Sequence, residues 1–270
     1  MTGLPARPWL FGPSPPVVGG TGAGFPEAVL FDRDGTLVAD VPYNGDPERA
    51  EPLPTAREAV AAVRARGVPV GVVSNQSGVA RGLLTYRQVD AVRRRVDALF
   101  GPFDVWAVCP HGPDDGCGCR KPAPGLVLAA CARLGVRASR TVVIGDIGSD
   151  LAAARAAGAR GVLVPTPVTR PEEITGADHV APDLATAVRL ALDPATRDGR
   201  PAAADPGTLV GHPAAVAPGT RGNRPAAVDP ETRGNRPAAL DPGTRGNRTA
   251  ALDSGADDGG TAAGTTGGRP

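Results

Sequence analysis

The chain has 270 residues, and its 29 Lys and Arg against 28 Asp and Glu leave a net charge of +1, so no basic stripe is available to hold a nucleic acid. No apolar run approaches the ~20 residues that cross a bilayer, and the first apolar patch is broken by prolines. Together these predict a cytoplasmic protein with no membrane partner.

Residues 1–26 form a Pro/Gly-rich extension, and the folded domain is expected over 27–194. Five short apolar runs predict buried strands: AVLFDRD (28–34), VPVGVVSN (68–75), DVWAVCP (104–110), TVVIGD (141–146) and GVLVP (161–165). Helical patterns fill the gaps. TAREAVAAVRARG (55–67) opens on Thr55 with Glu58 three residues later, the grammar of a capping box, and stops at Gly67. TYRQVDAVRRRVDALFG (85–101) repeats that grammar, and APGLVLAACARLG (123–135) and SDLAAARAAG (149–158) supply two shorter helices. Strand–helix alternation predicts an α/β, Rossmann-like parallel sheet with helices on both faces. Such sheets bind ligands beyond the carboxyl ends of their strands.

After the domain, a unit beginning Asp-Pro-x-Thr-Arg recurs every twelve residues, with Asp at 193, 205, 229, 241 and 253 and Ala217 in the degraded slot. Units this dense in Pro, Gly and Arg have little to bury, so residues 195–270 are expected to be a disordered tail. Neutral expansion of a GC-rich repeat and an Arg-bearing tether for a polyanion are both open.

The polar residues at the predicted strand ends converge on one rim. Asp32 and Asp34 end the first strand, Ser74 and Asn75 the second, and Asp146 the fourth, with Asp150 four residues on. Lys121, the chain's only lysine among its 29 basic residues, follows the third strand. Carboxylates can hold Mg²⁺, while an ammonium and a hydroxyl can neutralise phosphoryl oxygens, a set suited to phosphoryl transfer.

FDRDGTL, SNQSG, RKP and GDIGSD, in this order on these elements, resemble the motifs of the haloacid dehalogenase-like phosphatase superfamily over residues 27 to about 192. The resemblance implies Asp32 as the nucleophile that takes the phosphoryl group, and Asp34 as general acid and base. It implies Mg²⁺ held by Asp32, the backbone carbonyl of Asp34, and Asp146. Ser74 and Lys121 would bind the phosphoryl oxygens, Asp150 would orient Lys121 or a metal-bound water, and Asn75 and Arg120 match positions that contact substrate in similar enzymes.

CPHGPDDGCGC places Cys109, His111, Cys117 and Cys119 together. Three thiolates and an imidazole complete a tetrahedral shell with no position left for water, which predicts structural Zn²⁺ rather than a redox or packing cluster. Cys131, among Ala and Leu, is expected in the core. The zinc loop ahead of Arg-Lys-Pro resembles the branch that holds D-glycero-D-manno-heptose 1,7-bisphosphate phosphatases and histidinol-phosphate phosphatases. The spacing leaves no room for a cap domain, so residues 39–54 and the zinc loop are expected to shape the entrance. The expectation is a monomeric Mg²⁺-dependent phosphatase that converts the heptose bisphosphate to its 1-phosphate. The alternatives are a histidinol-phosphate phosphatase, a zinc-stapled phosphate-binding module without catalysis, and a polynucleotide end phosphatase, the last disfavoured by the balanced charge.

Overall fold

The structure, a computed structural model, describes residues 7–13 and 26–193. The tail at 195–270 and most of the N-terminal extension lie outside the described residues.

Strands β1 (Trp9–Phe11), β2 (Ala28–Phe31), β3 (Val70–Asn75), β4 (Val105–Cys109), β5 (Thr141–Gly145) and β6 (Arg160–Leu163) form one sheet in the order β1-β4-β3-β2-β5-β6. All pairings are parallel except β1 on β4, where Trp9 faces Val108 and Phe11 faces Trp106. This edge strand lies within the extension that the sequence sets apart from the fold. Trp9 and Phe11 bring it there by packing on Tyr86, with ring centroids 4.9 and 5.8 Å away.

The five parallel strands fall on the predicted apolar runs, and their residues alternate between two cores as the pleat requires. Val29 and Phe31 face helices α1 (Ala56–Ala65), α2 (Tyr86–Phe100) and α6 (Leu184–Leu192). Ala28 and Leu30 face α3 (Gly125–Leu134) and α4 (Gly148–Ala157) on the other side. A short α5 (Pro171–Thr175) precedes α6. Leu30 and Phe31 are fully buried, and burial of such a side chain contributes about 1.5–3 kcal/mol.

Helix α2 carries the predicted capping box, in which Gln88 N donates to Thr85 Oγ1 at 3.3 Å and Thr85 N to Gln88 Oε1 at 2.9 Å. Helix α1 does not. Thr55 sits at φ 61° in the left-handed region with no side-chain cap bond, whereas a capping hydroxyl needs an extended N-cap to reach the amides ahead. The Thr55 hydroxyl instead accepts from Ala185 N at 3.4 Å, joining α1 to the start of α6. The stop at Gly67 is present, at φ 68° with its N–H on Arg64 O.

From β2 the chain winds to β3 and β4 on one side, then crosses to β5 and β6 on the other. The carboxyl end of β2 is therefore the switch point where such sheets open a crevice. Residues 76–85 join β3 to α2 through turns, and residues 32–55 contain turns, isolated bridges from Val38 to Asp34 and Pro52, and one 3₁₀ helix at Pro47–Arg49. No extra folded layer covers the crevice among the described residues.

Candidate active site

Asp32 is the first residue beyond β2, and its N–H is held by Ile144 O of β5 at 2.9 Å. Lys121 reaches it from the segment ahead of α3, with Nζ 2.6 Å from Asp32 Oδ1, 2.6 Å from Asp150 Oδ1 and 2.9 Å from Val73 O. Lys121 is 4% exposed and Asp150 is fully buried. Burial alone would lower the ammonium's pKa, but Asp150 and Asp32 outweigh it and hold it above the ordinary lysine value. The other Asp150 oxygen accepts from Ile147 N at 3.3 Å. Both of its oxygens are thus committed, one to the ammonium and one to the α4 N-terminus.

Asp146, at the end of β5, is fixed from two sides. Thr169 donates its hydroxyl to the Asp146 carbonyl at 2.7 Å, and Thr36 Oγ1 lies 3.5 Å from Oδ1. Gly35 makes this approach possible. It sits at φ 76°, and a Cβ there would lie 2.3 Å from Asp146 Oδ2. Gly145 serves Asp150 likewise, since its Cβ would fall 2.3 Å from Asp150 Cγ.

Carboxylate oxygens of Asp32, Asp146 and Asp150 lie within 4.8 Å of one another. Burial first, then the Asp150, Asp34 and Asp146 charges, push Asp32 up to about 8 against the pull of Lys121. Burial and Asp150 push Asp146 up to about 7. With all their carboxyls ionised, Asp32, Asp34, Asp146 and Asp150 exceed Lys121 and Arg33 by two negative charges, and the raised values of Asp32 and Asp146 mark how much that crowding costs without a cation. Hard oxygen donors with that excess fit a divalent cation such as Mg²⁺. Because Asp150 is spent on Lys121 and Ile147, Asp32 and Asp146 are the carboxylates left to take it.

Asp34 faces the same crevice. Arg33 grips it bidentately, Nε to Oδ1 at 2.9 Å and Nη2 to Oδ2 at 2.7 Å. Gln76 Nε2 adds a bond to Asp34 Oδ2 at 3.0 Å and another to Ser74 Oγ at 2.9 Å. Asn75, expected at the substrate, spends both ends of its amide on the Lys121 backbone, donating to its O and accepting from its N, each at 3.1 Å. Arg120 lines the cavity, with Nη1 3.5 Å from His111 O.

The second predicted constellation is equally compact. His111 Nδ1 lies 3.4 Å from Cys109 Sγ and 3.2 Å from Cys119 Sγ, and the sulfur atoms are 3.3 to 3.7 Å apart. Ligands ~2.3 Å from a tetrahedral zinc lie somewhat under 4 Å from one another, so the four side chains fit that ion. Burial pushes the Cys109 thiol up and the Cys119 thiol up to about 11. Cys131 stands apart, buried against Thr141 Oγ1 at 3.4 Å.

A family model for HAD-hydrolase-like proteins matches residues 118–187. The D-glycero-beta-D-manno-heptose-1,7-bisphosphate 7-phosphatase of Pseudomonas aeruginosa is 38% identical over 143 residues, 51% of this chain and 80% of that protein. The chain belongs to the haloacid dehalogenase-like hydrolase family. The protein of the same name from Escherichia coli K12 is 34% identical over 172 residues, 58% of this chain and 90% of its own length. Among solved structures, D,D-heptose 1,7-bisphosphate phosphatase from B. bronchiseptica, complexed with magnesium and phosphate, matches with a TM-score of 0.54 at 32% identity. That match covers 60% of this chain and 96% of the other.

The crevice of this haloacid dehalogenase-like phosphatase is a cavity of about 450 Å³, whose lining also includes Asp40, Val41, Pro42, Tyr43 and Val168. Residues 40–43 are part of the loop expected at the entrance. Val168, like Thr169, lies in the connection beyond β6, which none of the four motifs covers. Arg33 and Gln76 lie inside the FDRDGTL and SNQSG motifs, between or beside the residues with implied roles, but the resemblance implies none for them.

Replacing Gly35 with Ala tests the close approach to Asp146. A non-glycine residue in the left-handed region costs about 1–2 kcal/mol, and its Cβ would displace the Asp146 carboxylate. The variant is expected to need at least about tenfold more Mg²⁺ for half-maximal thermal stabilisation. Titration curves superimposable on wild type would contradict this account of Gly35.

Proposed function

We propose that this chain is a Mg²⁺-dependent phosphatase for a small sugar phosphate, hydrolysing D-glycero-D-manno-heptose 1,7-bisphosphate to the 1-phosphate. The observation that carries the reading is the Lys121 ammonium held between Asp32 and Asp150, at the switch point of the sheet and beside an excess of two negative charges. The names of the 34–38% identical relatives supply the substrate.

Asp32 attacks phosphorus and forms an aspartyl-phosphate. The Asp34 carboxyl gives its proton to the leaving alkoxide as the P–O bond breaks, then takes a proton from the water that hydrolyses the intermediate. Lys121 and the Ser74 hydroxyl neutralise the phosphoryl oxygens. Mg²⁺, held by Asp32, the Asp34 carbonyl and Asp146, would cancel the repulsion between the carboxylate and a phosphate dianion.

Both metals belong to the proposal, as do a monomeric state and a cytoplasmic location. Among the described residues, no helix is long and apolar enough to cross a membrane. A phosphatase panel tests the substrate: heptose 1,7-bisphosphate should exceed histidinol phosphate and a 5′-phosphorylated oligonucleotide in kcat/KM. Preference for either of the latter would replace the sugar assignment.

Zinc has a mechanical task in this scheme. The Gln76 N–H donates to Cys109 O at 2.7 Å, the Ala80 N–H to Pro110 O at 3.1 Å, and Lys121 follows Cys119 by two residues. The loop thereby props both walls of the crevice. Metal analysis is expected to find about one Zn²⁺ per chain, and stripping it should lower Tm and raise KM more than it lowers kcat. Purified protein without zinc would defeat the assignment.

A further inference from the structure

The Gln76 amide directs its Nε2 to Asp34 Oδ2 at 3.0 Å, so the end that faces Asp34 is the NH₂. That orientation fixes the other contact as well. The second Gln76 N–H donates to Ser74 Oγ, which makes Ser74 the acceptor there and leaves its own O–H to be donated elsewhere. Gln76 is 5% exposed and Arg33 is 2% exposed. Arg33 takes both oxygens of Asp34, and Gln76 adds a second donor to Oδ2.

We infer that Gln76 and Arg33 are positioning residues that aim the Asp34 carboxyl at the leaving-group oxygen, and that Gln76 also turns the Ser74 hydroxyl toward the phosphoryl group. This rests on the phosphatase reading above. One amide thus sets the direction of two separate contacts, one to the departing oxygen and one to the phosphoryl oxygens. The Gln76 backbone is fixed in turn by Cys109 O, so the aim is inherited from the zinc loop.

The test separates positioning of the acid from general damage. A nitrophenolate leaves phosphorus without needing a proton, whereas a sugar alkoxide needs one, and kcat/KM reports the step in which the leaving group departs. Gln76→Met keeps the side chain's length and removes both donors. Its loss of kcat/KM on a sugar phosphate is expected to exceed its loss on p-nitrophenyl phosphate by at least about tenfold, the size expected when a general acid is misdirected. Arg33→Met should show the same sense of discrimination, and it decides the matter if Gln76→Met does not fold by circular dichroism. Equal losses on the two esters in a folded variant would overturn the inference and leave the phosphatase reading intact. Wild-type protein that hydrolyses neither ester would overturn the phosphatase reading itself and the inference with it.

Discussion

Asp32→Asn is expected to lower turnover by about 10⁴-fold or more, the scale seen when a covalent nucleophile is removed from an active site, while the protein still folds and binds substrate. The amide is isosteric and can keep an oxygen toward Lys121, which retains Asp150 at 2.6 Å. It cannot form the aspartyl-phosphate. The substitution also removes one member of a crowded carboxylate cluster, and this gives a second readout. Asp32 is raised from 3.8 to about 8 by burial and then by its acidic neighbours, so between those pH values the native state binds more protons than the unfolded chain. Its contribution to stability is then present at low pH and lost as pH rises toward 8. Metal-free wild type should therefore lose Tm between about pH 5 and pH 8 more steeply than Asp32→Asn. Near-wild-type turnover in the variant would assign the nucleophile elsewhere, and identical Tm slopes would mean that Asp32 does not feel the burial described.

The strands were legible because strands buried on both faces must be apolar without interruption, and β2 to β6 announce themselves as such runs. β1 does not. It is three residues long, flanked by Pro and Gly, and held by aromatic contacts to Tyr86 that no local pattern encodes. Thr55 shows the opposite failure, a correct local signal overridden by a tertiary contact, since its left-handed backbone turns the hydroxyl to α6 rather than to its own helix. In the site, Asp32, Ser74, Lys121, Asp146 and Asp150 could be placed together because each ends a strand or opens the element that follows. What joins them could not. The Asn75 amide spans 46 residues to Lys121, Gln76 spans 42 to Asp34, and Thr169 reaches back 23 to Asp146. Such contacts are set by which strands become neighbours, and that order was not contained in any one motif.

Lys121→Arg preserves charge and is nonetheless expected to cost about 100-fold in kcat/KM, the loss associated with misplacing a catalytic group by roughly an ångström. The ammonium occupies a position bounded by Asp32 Oδ1, Asp150 Oδ1 and Val73 O at 2.6, 2.6 and 2.9 Å. A guanidinium is longer and planar, and binds carboxylates two oxygens at a time. Behind Asp150 there is no slack, because Gly145 is already packed against its carboxyl. The backbone cannot retreat either, since Asn75 holds the Lys121 peptide at both N–H and C=O. The fork must therefore push outward, toward Asp32 and the space meant for the phosphoryl group, so KM should rise and kcat should fall. Lys121→Met separates shape from charge. It leaves Asp32 and Asp150 buried without their counter-ion, and loss of one partner from a buried pair typically costs about 3–5 kcal/mol. Its Tm should fall well below that of Lys121→Arg, while both remain poor catalysts. Steady-state kinetics at saturating Mg²⁺ decide the point: Lys121→Arg within about threefold of wild type would show that charge alone suffices, and that the chain's single lysine survived among arginines without a chemical reason.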